Sequence, residues 1–266
     1  MNKLIGSDIE YAVLSRDKRE FIPAGLLPIN GRKGFPEPLT FGGVEIDCCA
    51  VEITPAPAST KEEFSTNILS LLGEVKEKYP EYEFWTKPSL IFRPQQIQGV
   101  RYAEEMGCMP DFNAWTGNTN PKPNAALQPG LRSFGGHVHI EGGTIPTVIA
   151  CDVLLGLWSL IHDKDVRRRG LYGKAGAFRN KPYGVEYRVL SNFWTDDKDK
   201  IEHVFEMANI ARKLPNSSIQ DLLNMCGGEK RLIKAINYST PDPQWGIPED
   251  FYEVVVNKAK ELANAA

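Results

Sequence analysis

Three apolar stretches of the chain carry ionisable residues two positions apart, and this spacing restricts the fold more than any other feature. Asp8 and Glu10 lie in Leu-Ile-Gly-Ser-Asp-Ile-Glu-Tyr-Ala-Val-Leu, His137 and His139 in Gly-Gly-His-Val-His-Ile-Glu, and Glu186 and Arg188 in Gly-Val-Glu-Tyr-Arg-Val-Leu. A β-strand turns successive side chains to opposite faces, so each pair projects from one face of its strand. The residues between them, Ile9, Val138 and Tyr187, face the other way, toward a core. A sheet with an apolar back and a front of acids and imidazoles is expected. Taken singly, the Asp8/Glu10 and Glu186/Arg188 pairs read as solvated strand faces. The histidines are harder to dismiss, because two of the chain's four fall in one H-x-H. Two imidazoles on one strand face suit a metal or a phosphate.

Strand signals, β-branched and aromatic residues alternating or in runs, cover residues 4–15, 44–54, 82–92, 134–141 and 183–190. Helix signals lie between and after them. Ser59 and Thr60, with Glu63, form a capping box ahead of Phe64, Ile68, Leu71, Leu72 and Val75. A second helix starts near Pro146 and runs to about His162, apolar nearly all round and hence buried. Others are expected over 198–214, over 219–225 with a stop at Gly227-Gly228, and over 248–263. Residues 111–133, rich in Asn, Pro and Gly, read as a long loop, a length that asks for a functional reason such as a lid. Residues 164–181 read as a basic loop, with seven Lys or Arg against one Asp. Strands and helices do not alternate strictly, so the expectation is one α+β domain over 1–266 with an antiparallel-rich sheet. Its motif-bearing core would span 4–194 and its helical C-terminal part 195–266.

Composition closes off several classes of function. At 42% hydrophobic and 24% charged residues the chain is neither disordered nor collagenous. A net charge of -3 gives no general electrostatic case for nucleic acid. The longest apolar run, 148–161, is broken by Asp152 and reads as too short to span a bilayer. The N-terminal residues lack the apolar core of a signal peptide. Five cysteines with no C-x-x-C argue against a disulfide scaffold or zinc ribbon, so a cytoplasmic protein with no membrane partner is expected.

A fourth acidic segment holds Glu45, Asp47 and Glu52. Asp47 and Glu52 are five apart, and one unbroken strand would send them to opposite faces. They converge only if a turn or bulge falls around residues 48–50; otherwise Glu45 and Asp47 form the facing pair. Carboxylates outnumber imidazoles among these residues, so Mg²⁺ or Mn²⁺ suits them better than zinc. Magnesium among carboxylates commonly accompanies a phosphorylated substrate. The segment holding Lys164, Arg167, Arg168, Arg169, Lys174, Arg179 and Lys181 would then neutralise phosphates. Read alone, it is a solvated surface or a nucleic-acid patch.

The ordered series of motifs resembles the glutamine synthetase / glutamate–cysteine ligase superfamily, and within it most closely the phage-associated carboxylate–amine ligases (amidoligases). The matching stretches are Gly6-Ser-Asp8-Ile-Glu10-Tyr, Asp47 with Val51-Glu52-Ile-Thr-Pro, Gly135-Gly-His137-Val-His139, and Tyr172-Gly-Lys174 through Arg179 to Glu186-Tyr-Arg188. They span residues 6–190, roughly two-thirds of the chain, in the family's order. The resemblance implies a curved antiparallel sheet, helices on one face, and ATP with two or three Mg²⁺ or Mn²⁺ ions on the concave face. Glu10, Asp47 and Glu52 would match the ligands of one metal, and Asp8, His137 and Glu186 those of the metal bridging the ATP phosphates. His139 would lie near the nucleotide phosphates, with Lys174, Arg169 and Arg179 as further phosphate contacts. Arg188 and Arg179 would stabilise the charge of an activated carboxylate. The acid that deprotonates ammonia in glutamine synthetase has no match here; Asp111, at the mouth of the long loop, or Glu141 would take the amine proton. The implied activity is ATP-dependent amide formation between a small-molecule or peptide carboxylate and an amine, through an acyl phosphate.

Departures from that pattern are an Asp at position 8, where the larger ligases often have Glu, and a chain much shorter than glutamine synthetase. Rival readings are a guanidino-type phosphotransferase of the same superfold and a non-catalytic phage or interaction protein. A phosphotransferase binds ATP mainly through arginines and would not need this set of acids and histidines. A cupin-type metal site needs a glutamate and a further histidine at spacings this chain lacks. The identity of the two substrates and the oligomeric state are not encoded in any spacing.

Overall fold

A computed structural model describes residues 3–104, 111–121 and 129–265. The chain opens with β1 (Ile5–Ser15), β2 (Glu20–Ile22), β3 (Glu37–Leu39), β4 (Gly42–Asp47) and β5 (Ala50–Pro55), followed by helix α1 (Lys61–Lys78). Next come β6 (Tyr82–Trp85), β7 (Ser89–Ile91), the short α2 (Pro94–Ile97), β8 (Phe112–Asn113), β9 (Leu131–Ser133) and β10 (Gly136–Glu141). Helices α3 (Ile145–Cys151) and α4 (Leu157–His162) are joined through a π-helical turn at Asp152–Gly156. After them lie α5 (Val166–Leu171), β11 (Ala177–Lys181) and β12 (Gly184–Tyr187). Four helices end the chain: α6 (Lys198–Lys213), α7 (Asn216–Met225), α8 (Glu229–Asn237) and α9 (Pro248–Asn264).

The architecture is α+β, with an open, curved antiparallel sheet in the order β3-β4-β5-β1-β10-β12-β11-β8; β2 and β6 pair with the far end of β1. The period-two pattern decides its faces. Ile9, Val51, Ile53, Val138, Ile140 and Tyr187 are all fully buried on the back of the sheet. Helices α1, α3 and α6 pack over that back face. The cap of α1 forms as the sequence implies: the Thr60 hydroxyl accepts the Glu63 N–H at 3.2 Å, and Glu63 accepts the Ser59 N–H at 2.8 Å.

Four expectations need correction. The 44–54 strand is a hairpin, β4 and β5. The 82–92 strand divides, β6 joining β1 and β7 joining β9 in a separate two-stranded sheet, because Lys87-Pro88 interrupts the run. The 164–181 loop contains α5 and β11, and an unexpected helix, α8, buries Leu232, Ala235 and Ile236 at helical spacing. Of the 111–133 loop, residues 122–128 lie outside the described residues. Its first part is tied down: β8 pairs with β11, and the Ala114 N–H donates to the Gly176 carbonyl at 2.9 Å.

The stretch Ile145–His162 is one 18-residue helical run, long and apolar enough to cross a membrane by length and composition, contrary to the reading of 148–161. Nearly three-quarters of it, 72%, is buried within the fold, which makes it the core helix. Its Asp152 is not exposed at all. The Tyr187 hydroxyl donates to Oδ1 at 2.8 Å and the Trp115 indole N–H to Oδ2 at 2.7 Å. Burial pushes the Asp152 carboxyl up to about 7 in spite of these donors.

Candidate active site

The front of the sheet carries the ionisable pairs. Chain reversal between β4 and β5 takes only Cys48 and Cys49, with Cys48 at a φ of 57°, the positive φ that two-residue hairpin turns demand. Pairing then runs Glu45↔Glu52 and Asp47↔Ala50, so the turn brings Asp47 and Glu52 to the same face. Glu52 also pairs with Glu10 on β1, which lines up Glu45, Glu52 and Glu10 across three adjacent strands. Glu10, Asp47 and Glu52 each place one oxygen within 4.8 Å of the others. This is the set named from the sequence.

Acids placed directly opposite one another repel, and these are partly or wholly removed from water. Burial, with Asp47 adding to it, pushes Glu10 up to about 7. Burial and the neighbouring Asp8, Asp47, Glu10 and Glu45 push Glu52 well above the carboxylate range. Glu45 is raised by burial too, against a hydrogen bond from the Gly34 N–H. Among the described residues one lysine reaches this group: Lys33 Nζ lies 2.9 and 2.8 Å from the two Asp47 oxygens. Three carboxylates without imidazole or thiol are the donor chemistry of a hard divalent cation.

Across β1 and β10 lies a second group. Asp8, His139 and Glu186 place one ligand atom each within 4.8 Å of one another. His139 Nε2 is 2.9 Å from Asp8 Oδ2, while its Nδ1 is hydrogen-bonded to the Tyr183 hydroxyl, and the two rings stack. The expected third member, His137, is not in this set. Register sets both histidines among the acids: His137 stands opposite Asp8 on β1 and His139 opposite Glu186 on β12, and His137 Nδ1 lies 3.6 Å from Glu186 Oε1 while accepting from Arg188 Nη1 at 3.1 Å. Burial and Arg188 hold the His137 imidazole well below its usual range, so it is neutral. Gly135 makes room for it, since a Cβ there would lie 2.3 Å from His137 Nε2. His139 therefore completes the three-ligand group, while His137 stands beside Glu186 and is tied to Arg188.

Glu186 is compensated. Burial alone would raise its carboxyl, yet Arg188, His137, His139 and Lys181 outweigh that and hold it well below the carboxylate range. Arg188 Nη1 contacts Glu186 directly, and Lys181 Nζ lies 2.8 Å from Oε2. Arg188 Nε lies 2.7 Å from Asp111 Oδ1, and Arg179 Nε 3.7 Å from the same oxygen. Asp111 thus joins the site as the group that clamps both arginines.

The rest of the basic segment behaves otherwise. Arg169 is 1% exposed, with Nη1 on the Gly173 and Val189 carbonyls and Nη2 on Ser159, so its expected phosphate role is corrected to a structural one. The cause is α5, which turns Arg168 and Arg169 inward; Arg168 donates to the Val189 and Leu190 carbonyls, each at 2.7 Å. Arg167 pairs with Asp165, and Lys174 is half-buried in the turn before β11. Only Arg179 and Lys181, both on β11, meet the acids of the site.

Two pockets adjoin the acids. One, beside the Cys48 turn, is lined by Glu10, Asp47, Arg132, Tyr172 and Arg188 among others. The other, of 380 Å³, lies beside Asp8 and His139 between Leu4, Pro55, Pro57 and Tyr183. Sequence reasoning missed Lys33, Lys181 as a ligand-set partner, and Tyr183. For Lys181 and Tyr183 the signal existed: Tyr183 opens the Glu186 segment, and Lys181 shares a strand face with Arg179. Lys33 sits in a loop with no periodicity and left none.

No curated protein matches the chain. Residues 129–226 match the family model described as Phage phiEco32-like COOH.NH2 ligase-type 2. The match takes in His137, His139, Lys174, Arg179, Glu186 and Arg188 and leaves Asp8, Glu10, Asp47 and Glu52 outside it, so less than half of the chain is similar to this group of carboxylate–amine ligases.

Proposed function

We propose that the protein is an ATP-dependent carboxylate–amine ligase working through an acyl phosphate. The observation that carries this reading is the pair of three-ligand sets on one sheet face with Arg188 at their border, in a chain whose 129–226 stretch matches a carboxylate–amine ligase model. The order of acids and histidines, similar to the catalytic sheet of glutamine synthetase-like ligases, supports the finer mechanism.

Glu10, Asp47 and Glu52 would hold one Mg²⁺ or Mn²⁺, and Asp8, His139 and Glu186 a second. Bound there, the cations would neutralise phosphate charge and make the γ-phosphorus more electrophilic. The 380 Å³ pocket beside Asp8 and His139 offers apolar walls for a nucleotide base. In the first step a carboxylate oxygen attacks the γ-phosphorus and ADP leaves. In the second the amine attacks the acyl carbon, phosphate leaves and the amine gives up one proton. Arg188, Arg179 and Lys181 present cations to the phosphoryl oxygens and to the oxyanion of the second step. Asp111 holds Arg188 in place. To act as the base it would have to exchange that contact for the amine.

Thermal melting and ADP release test the reading. With ATP and Mn²⁺ at about 100 times the dissociation constant, the native protein should gain about 2.7 kcal/mol. Glu52→Ala and His139→Ala should both lose the gain. A panel of acids and amines should then release ADP in pairs, not singly. A folded protein showing neither a shift nor ADP release would overturn the proposal.

A further inference from the structure

We propose that Lys33 is the resident counter-ion of the Glu10/Asp47/Glu52 set, its ammonium holding a divalent cation's place and leaving Asp47 when the cation enters. The inference rests on the metal reading above and adds a residue to it. Lys33 is delivered by a short, well-anchored turn. Gly31 packs against β4 so closely that a Cβ would lie 2.0 Å from the Val44 carbonyl oxygen, and its own carbonyl accepts the Ile46 N–H at 3.2 Å. Arg32 and Phe35 then exchange backbone hydrogen bonds of 3.1 and 2.7 Å, leaving Lys33 and Gly34 as the two central residues. Gly34 takes a φ of 79°, and its N–H donates to Glu45 Oε2 at 3.0 Å.

Turn backbone and side chain therefore address the same acids. Lys33 Nζ bridges both Asp47 oxygens, at 2.9 and 2.8 Å, and so covers the donors a metal needs from that residue. One positive charge on Asp47 stands against a row of four carboxyls, Glu10, Glu45, Asp47 and Glu52, on three adjacent strands. A divalent ion offers more charge and would win the contest. The displaced ammonium has an open route: the Lys33 side chain is 48% exposed and that of Asp47 14%, so neither crosses the core. A flexible point charge suits this exchange better than a planar guanidinium. Once released it stays within reach of any anion bound to the metal.

Mn²⁺ titration without nucleotide, followed by the spin resonance of the free ion, tests the inference. Lys33→Met should bind Mn²⁺ about tenfold more tightly than wild type, because two ligands competing for one state weaken each other reciprocally. Lys33→Arg, whose planar fork holds both carboxylate oxygens, should bind Mn²⁺ no more tightly than wild type. Arg32→Met is the control for net charge, since Arg32 lies over the Phe35 ring at 4.9 Å and should leave the affinity unchanged. Adding Glu52→Ala to Lys33→Met should remove the tightened site. Equal affinity in wild type and Lys33→Met, or equal tightening by Arg32→Met, would overturn the role of Lys33 and leave the metal reading standing. No Mn²⁺ binding by wild type or Lys33→Met would overturn both.

Discussion

On the β4–β5 side of the sheet, Glu45, Glu52 and Glu10 face one another across three strands, and their carboxyls are pushed up by burial and by one another. On the β10–β12 side, an acid at the same kind of strand position, Glu186, is held down by Arg188, His137, His139 and Lys181, which together outweigh its burial. Both groups lie on one face of one sheet and show the same two-residue spacing. The difference lies in what the neighbouring strand brings. β5 opposes acids with an acid, whereas β11 and β12 bring Arg179, Lys181 and Arg188. One half of the face is short of positive charge and the other is already balanced, an arrangement suited to holding a cation beside an anion.

Substitution should break this comparison with opposite signs. Glu186→Ala takes from the buried Arg188 one of its two carboxylate partners, leaving it Asp111, and should cost about 3 kcal/mol in denaturant unfolding. In alkaline buffer, where Glu52 has lost its proton, Glu52→Gln removes a repelling charge instead, so the metal-free protein should gain roughly 1 kcal/mol in the same experiment while losing Mn²⁺ binding. Destabilisation by both would show that the acidic row is already neutralised in the free protein.

Acidity sharpens the contrast. Glu10 and Asp152 both sit at about 7 in the folded chain, chiefly through burial. A carboxyl raised on folding makes the native state take up protons, so its contribution favours the fold in acid and is lost as pH rises through about 7. The metal-free melting temperature of wild type should fall more between pH 6 and 8 than that of Glu10→Gln. Mn²⁺ should reverse the trend, because the ion takes only the deprotonated acids. Equal slopes for the two proteins would remove Glu10 from the account.

The smallest expected effect concerns His139. Tyr183 holds its Nδ1, and a partner on the far ring nitrogen of a ligand typically tunes metal affinity by ten- to a hundredfold. Tyr183→Phe should weaken Mn²⁺ binding at the Asp8/His139/Glu186 set by about tenfold with little change in melting temperature. The Glu10 set, whose nearest member is two residues from Asp8 along β1, should be untouched.

Much of this face was legible as pattern. The pairs Asp8/Glu10, His137/His139 and Glu186/Arg188 declared their strands and their front side, since alternation is a local property of an extended chain. The condition placed on Asp47 and Glu52, a turn at 48–50, is met by a two-residue hairpin. Two assignments were not legible. How each histidine stands to Asp8 and Glu186 depends on the register of β10 against β1 and β12, and no single strand encodes its partners. Whether a basic residue faces a site or the interior depends on packing. Arg169 and Arg179 look alike in a run of charges, but a helix turns one inward while a strand edge presents the other to Asp111.

The sequence by itself determined the α+β class, the apolar back, the capped α1, and the identity of the acids that share the front. Those follow from periodicity and caps, which act between residues a few positions apart. Tertiary structure alone decided the Arg188–His137 and Asp8–His139 contacts, the inward Arg168 and Arg169, the Trp115–Asp152–Tyr187 contact and the seating of Lys33 on Asp47. Each of these joins residues distant along the chain, and their electrostatics exist only once the strands have paired and water has been driven from between them.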